Sequence, residues 1–160
     1  MALGVRDQRS RSVTTTRAIV YGTLVVGTLD ALDAVVFFGF RGVAPHRIFQ
    51  SIAAGLLGRA AFTGGPATVA LGVVLHYFIA FVIVATFVGA SRYIPVLTRA
   101  PILSGLVYGV GVYLVMNLVV VPLSAAGGRP SFPWPILVNG LLIHMLGVGL
   151  PSSLFARAVS

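Results

Sequence analysis

The chain has no cysteine, no lysine and no glutamate among its 160 residues. Without thiols there is no disulfide scaffold, no thiolate metal site and no cysteine nucleophile. Charge is scarce: Arg and Asp together make up 9% of the chain, against about a quarter for charged residues in a soluble domain. Acid is scarcest, limited to Asp7, Asp30 and Asp33. Catalytic signatures are missing as well. There is no H-E-x-x-H, no G-x-S-x-G and no phosphate loop, so the chain is not expected to be an enzyme. What is abundant is apolar: 58% of residues are hydrophobic and mean hydropathy is +1.01. That excludes a disordered chain, which would be polar. The net charge of +8 and pI near 11.4 would suggest nucleic acid in a soluble protein. Here the arginines are scattered between apolar runs and form no patch, so no nucleic-acid partner is expected. The expected partner is the lipid bilayer.

Four apolar runs, at about 18–40, 66–90, 101–121 and 135–155, are long enough for a hydrocarbon core, which takes about 20 helical residues. Backbone polar groups in lipid must be bonded internally, so the spans are read as helices. Pro66, Pro101 and Pro135 open spans two to four, where a missing N–H costs little. The first run is too long for a signal peptide, carries Asp30 and Asp33, and has no small-residue cleavage site after it. Residues 45–62 form a shorter amphipathic segment. Ile48, Ile52 and Leu56 recur every four residues, while Arg47, Gln50, Ser51 and Arg59 lie off that stripe. An interfacial or re-entrant helix is expected there, with a fifth, broken membrane helix as the alternative. The resulting fold class is an all-α, integral membrane four-helix bundle with one short amphipathic helix between spans 1 and 2. Residues 1–17 are expected to be a flexible Arg-rich cytoplasmic tail, and residues 18–160 a single transmembrane domain.

Arginine placement sets the expected orientation. Arg6, Arg9, Arg11, Arg17, Arg92, Arg99 and Arg157 fall on one side of a four-span chain; Arg41, Arg47, Arg59 and Arg129 fall on the other. The richer side is read as cytoplasmic, which puts both termini of the multi-pass chain there. Trp134, Phe132 and Tyr93 fall at the expected water interfaces.

Ionisable groups inside a membrane are rare and usually face a bundle interior. The spans hold four, Asp30, Asp33, His76 and His144, with the amides Asn117 and Asn139. At 1.5 Å per residue the ionisable groups lie roughly 10–15 Å below the extracytoplasmic ends. Asp30 and Asp33 share a helix face with Thr23, Gly27 and Ala34. His76 lies between Gly72 and Ala80, Asn117 continues the line of Gly105, Gly109 and Tyr113, and His144 follows Gly140. Small-residue stripes mark close helix approach, so Gly72, Gly105, Gly109 and Gly140 are expected to serve helix packing. The polar residues Asp30, Asp33, His76, His144 and Asn117 are expected to share one centre.

Several roles follow from that set. Asp–His and amide hydrogen bonds would hold helices in register. A buried Asp beside a His would exchange protons near neutral pH, giving transport, conductance or an acid response. No cofactor is expected outright; the alternative is haem b or a metal held by His76 and His144. A further alternative is a structural or accessory subunit, in which the Gly105–Gly109 stripe serves homo-oligomerisation or docking on a larger membrane complex. Asp33 would also be placed to pair with Arg41 or Arg59.

The stretch GTLDALDAVVFFGFRGVAPHRIFQSIAAGLLGRAAFTGG resembles the opening of a group of small bacterial four-span inner-membrane proteins of unassigned role. LGVVLHYFIAF, YGVGVYLVMNLVVVPLSAAG and LLIHMLGVGLPSSLFAR resemble their later spans, so the resemblance covers about residues 21–157. The span-two His and the apolar end of span three are weakly similar to the YagU-like family, which has been linked to acid tolerance. That longer chain departs from this one around span one. The resemblance implies a four-helix inner-membrane protein, and the acid link would direct suspicion to Asp30, Asp33, His76 and His144.

Overall fold

A computed structural model of the protein describes residues 2–127 and 133–160, with side chains from residue 14 onward. Arg129 and Phe132, and the side chains of Arg6, Arg9 and Arg11, lie outside the described residues. Helices account for nearly all of the remainder, with no strand among the described residues. Helix α1 runs Ala2–Gly39. The backbone of residues 2–17, expected as a flexible tail, continues this helix. Residues 5–17 contain neither glycine nor proline, so no helix breaker interrupts them.

Gly42 ends α1 with a φ of +82°. The Val43 N–H donates back to the Phe38 carbonyl at 3.1 Å, the six-to-one bond of a left-handed helix stop. Arg41 folds over the end, donating to the Phe37 carbonyl at 3.0 Å and sitting 3.6 Å above the Phe37 ring. The proposed Asp33–Arg41 pair is absent: the guanidinium lies over Phe37, one turn back, while Asp33 is a further turn down the helix.

Helix α2 spans Pro45–Leu57 and passes through a 3₁₀ turn, Gly58–Phe62, into α3, Gly65–Ser91. Its stripe is realised in part, with Ile48, Ala53 and Ala54 buried, while Leu56 and Leu57 stay exposed. A short helix, α4 (Val96–Arg99), leads into α5, Pro101–Leu123. The last span is α6, Trp134–Arg157.

Both later spans change pitch midway. In α5 residues Met116–Val120 form a π turn, and in α6 residues His144–Gly149 do so. Each π segment ends two residues before a proline, Pro122 or Pro151. Proline removes an N–H and crowds the carbonyl four residues back, so the preceding turn widens. Such bulges recur at functional sites.

Four helices, Thr14–Gly39, Gly65–Ser91, Pro101–Leu123 and Trp134–Arg157, are long and apolar enough to cross a membrane. They alternate in direction. At one end Arg92 donates to Thr15 at 2.8 Å and Ser153 donates to the Pro101 carbonyl at 2.8 Å. At the other end the Ala125 N–H donates to the Gly55 carbonyl at 2.9 Å, tying the end of α5 to α2. The protein is an all-α four-span membrane bundle with α2 laid against α3 and α1.

The main core joins Val26 of α1, Val84, Phe87 and Val88 of α3, Val112 of α5, and Val148 and Ala156 of α6. Outward faces expose Leu24, Leu32, Val74, Leu103 and Leu146, as a lipid-facing bundle requires. Glycines set the close approaches. A Cβ at Gly72 would strike the Phe49 carbonyl, one at Gly109 would strike the His144 carbonyl, and one at Gly140 the Tyr113 ring. One at Gly105 would lie 2.6 Å from Ser153 Oγ and 2.8 Å from the Leu150 Cα. The Gly105–Gly109 stripe, reserved in one reading for a second copy or a larger complex, is thus covered by the chain's own last span. Gly149 approaches from the other side with no side chain of its own, which lets two backbones meet.

Candidate functional site

The polar side chains within the spans fall into three settings. The first is the seam between α1 and the first half of α6. Asp33 is half-buried there, and its Oδ2 accepts a hydrogen bond from Asn139 Nδ2 at 2.7 Å. Asp30, one turn earlier on the same face, and His144 both lie within electrostatic reach of the Asp33 carboxylate. Asp30 itself makes no hydrogen bond among the described residues.

His144 is the first residue of the α6 π turn. Its Nδ1 lies 2.8 Å from the Gly140 carbonyl. A carbonyl only accepts, so Nδ1 carries the proton and a neutral ring keeps its lone pair at Nε2. The ring stands edge-on to Tyr113 with centroids 5.4 Å apart. This seam therefore holds an acid, an amide donor and an imidazole with one free basic nitrogen.

His76 belongs to a second setting, where α1, α2 and α3 meet. It is buried, and its Nε2 lies 2.7 Å from the Gly27 carbonyl. By the same reasoning Nε2 is the donor. Its ring packs edge-on to Tyr77 at 5.5 Å and Phe49 at 6.4 Å. Tyr77 in turn shares a 3.0 Å hydrogen bond with Thr28. His76 so pins α3 to α1 under α2. Asn117 forms the third setting, donating at 2.9 Å to the Tyr113 carbonyl of its own helix.

The five residues expected in one centre are thus divided. Asp33, Asp30 and His144 share a neighbourhood, His76 is committed to Gly27, and Asn117 is satisfied locally. Asn139 is the partner that sequence reasoning left out of the centre. It lies five residues before His144, so an ideal helical wheel turns it about 140° away. Its amide inside an apolar span was the only available signal.

The residues fit a metal or haem poorly. Among the described residues no three His or Asp side chains converge as a metal site would need. Axial ligation of haem by His76 and His144 would require rings aimed at one iron. Instead, the two imidazoles belong to different settings, His76 directed at the Gly27 carbonyl of α1 and His144 at the Gly140 carbonyl of its own helix.

The chain matches no protein-family model, no curated protein and no solved structure. The chemistry of the site therefore rests on its own residues.

Proposed function

We propose that the protein is a small bacterial inner-membrane protein whose α1–α6 seam responds to protons. The observation that carries this reading is the 2.7 Å bond from Asn139 to Asp33 beside an imidazole with a free Nε2. Asp33 lies six residues before the end of α1, roughly 9 Å along the helix. A proton entering from the α2 end meets Asp33 first. Asp30, one turn deeper, and His144 Nε2 are the next bases that the neighbourhood offers.

Protonating Asp33 changes the tether between α1 and α6. A carboxylate accepts the Asn139 bond more strongly than a neutral acid does. The half of α6 that carries Asn139, Trp134–Ile143, has no fully buried residue; its half-buried face meets α5 where Gly140 packs against the Tyr113 ring. The π turn that follows supplies a place to bend. Proton binding at Asp33 is thereby coupled to movement of that half-helix. The arginine distribution supports putting α2 at the extracytoplasmic end and both termini in the cytoplasm.

Trp134, the sole tryptophan, starts the half-helix in question and reports on it. In purified protein reconstituted in liposomes, Trp134 fluorescence is expected to titrate with pH. Asp33→Asn should abolish the titration and His144→Gln should shift it. Titration that persists unchanged in both variants would refute the proposal. A second reading, an accessory subunit, is favoured by the same open half-helix, which exposes Trp134 to lipid or a partner. A cross-link from position 134 to a second polypeptide in native membranes would favour it.

A further inference from the structure

A further polar feature lies outside the three settings within the spans. At the α2 end of the bundle a cleft of about 640 Å³ opens between the first half of α2 and the start of α3. His46, Arg47 and Gln50 line it from α2, and Phe62, Thr63 and Pro66 line it from the turn and α3. Arg47 and Gln50 are three residues apart and His46 and Gln50 four, so all three share one helix face. No acidic residue lines the cleft. His46 and Arg47 sit in the first turn of α2, which has no acid and no side-chain cap, so the helix dipole adds positive potential there.

Gln50 is 4% exposed, and its Oε1 is buried with no hydrogen-bond partner. The amide orientation is fixed by its neighbour. Thr68 Oγ1 lies 2.7 Å from the Ala61 carbonyl and 3.0 Å from the Gly65 carbonyl, and its single proton goes to these acceptors. It can therefore only accept from Gln50, whose Nε2 lies 3.3 Å away. Oε1 is left as an acceptor that lacks a donor, and a buried orphan acceptor is costly. Arg47 spends one N–H on the Phe62 carbonyl at 3.1 Å. The guanidinium has five N–H groups in all, and the others remain for an anion.

We propose that this cleft binds a phosphate ester carrying its own N–H or O–H donor, with Arg47 holding the phosphate and Gln50 Oε1 accepting from the donor. A phospholipid headgroup with an ammonium or hydroxyl has this chemistry, and so does a water-soluble phosphate ester of the same kind. The site is separate from the Asp33 seam, and its success or failure leaves that reading untouched.

The full-length protein in maltoside micelles is titrated calorimetrically with three probes. These are dihexanoyl-phosphatidylethanolamine, dihexanoyl-phosphatidylcholine and O-phosphoethanolamine. The ethanolamine lipid is expected to bind about tenfold more tightly than the choline lipid, which has the phosphate and chains but no N–H donor. Gln50→Leu should erase that preference, and Arg47→Gln should weaken both lipids by about tenfold. Arg47 is exposed, so its replacement leaves the fold intact even if Gln50→Leu does not. If O-phosphoethanolamine binds as tightly as the ethanolamine lipid, the source is soluble; if it binds much more weakly, the source is the bilayer. Equal affinity for the two lipids, or binding unchanged in Arg47→Gln, would overturn the proposal and leave Oε1 satisfied by water only.

Discussion

Replacing Gly109 by alanine adds one methyl group at the contact between α5 and α6. That Cβ would strike the carbonyl of His144 and come within 2.6 Å of the Met145 Cα. Non-bonded carbons rest about 3.5–4.0 Å apart. The atoms struck are backbone, so no rotamer change can clear them, and α6 must retreat by about 1 Å. Overpacking of this kind costs about 1–3 kcal/mol. At tenfold per 1.4 kcal/mol, the folding equilibrium falls by a factor of about 5 to 150. Gly111 is the control, on the same helix and two residues on, where a Cβ meets nothing within 4 Å. The helix persists in a membrane-mimetic unfolded state, so the propensity gain of alanine largely cancels. Gly111→Ala should therefore stay within about 0.5 kcal/mol of the parent. Both variants are compared by SDS titration of the protein in mixed micelles, with unfolding followed by Trp134 fluorescence. The retreat also carries His144 with it, so Gly109→Ala should blunt the pH response as well as stability. A Gly109→Ala protein as stable as Gly111→Ala would refute the backbone-to-backbone account of this seam.

Other consequences can be read from stability and labelling. A double-mutant cycle of Asp33→Ala and Asn139→Ala should give a coupling of about 0.6–2 kcal/mol, and additive losses would mean the bond is not formed in the bilayer. His76→Phe keeps a ring against Phe49 and Tyr77 but loses the donor to Gly27, so SDS unfolding should show a loss of about 1 kcal/mol. An unchanged midpoint would deny that His76 ties α3 to α1. Gly72→Ala pushes a methyl group into the Phe49 carbonyl and should lift α2 from α3. Because the chain has no cysteine, Ala53→Cys is a single-site probe at a fully buried position. It should resist maleimide in the parent and react in the Gly72→Ala background; equal labelling in both would count against the docking.

Much of the architecture was legible because lipid permits few solutions. Apolar runs of membrane length, punctuated by Pro66 and Pro101, marked the last three spans to within two residues at each end, whereas α1 begins at Ala2, well before the expected start at residue 18. The 45–62 segment resolves into α2 and its 3₁₀ turn within the same limits. Local pattern was enough, since helix formation in lipid is dictated by the backbone itself. The polar residues were harder. A wheel of 3.6 residues per turn names the face a side chain occupies, not the helix it will meet. It grouped Asn117 with the centre, though that amide turns back on Tyr113, and left out Asn139, which donates to Asp33. The pitch changes at Met116–Val120 and His144–Gly149 alter the faces again, and periodicity alone carries no sign of them.

The sequence by itself determined the medium, the number of spans and the scarcity of acids that singles out Asp30 and Asp33. These depend on composition and local hydropathy, which act residue by residue. Only the tertiary structure decided that His76 serves Gly27 rather than Asp33, and that the Gly105–Gly109 stripe is consumed within the chain. It alone exposed the unpaired oxygen of Gln50 above Thr68. Each of these depends on which backbone carbonyl or side chain a neighbouring helix presents at about 3 Å, a distance that hydrogen bonding demands and that no one-dimensional pattern encodes.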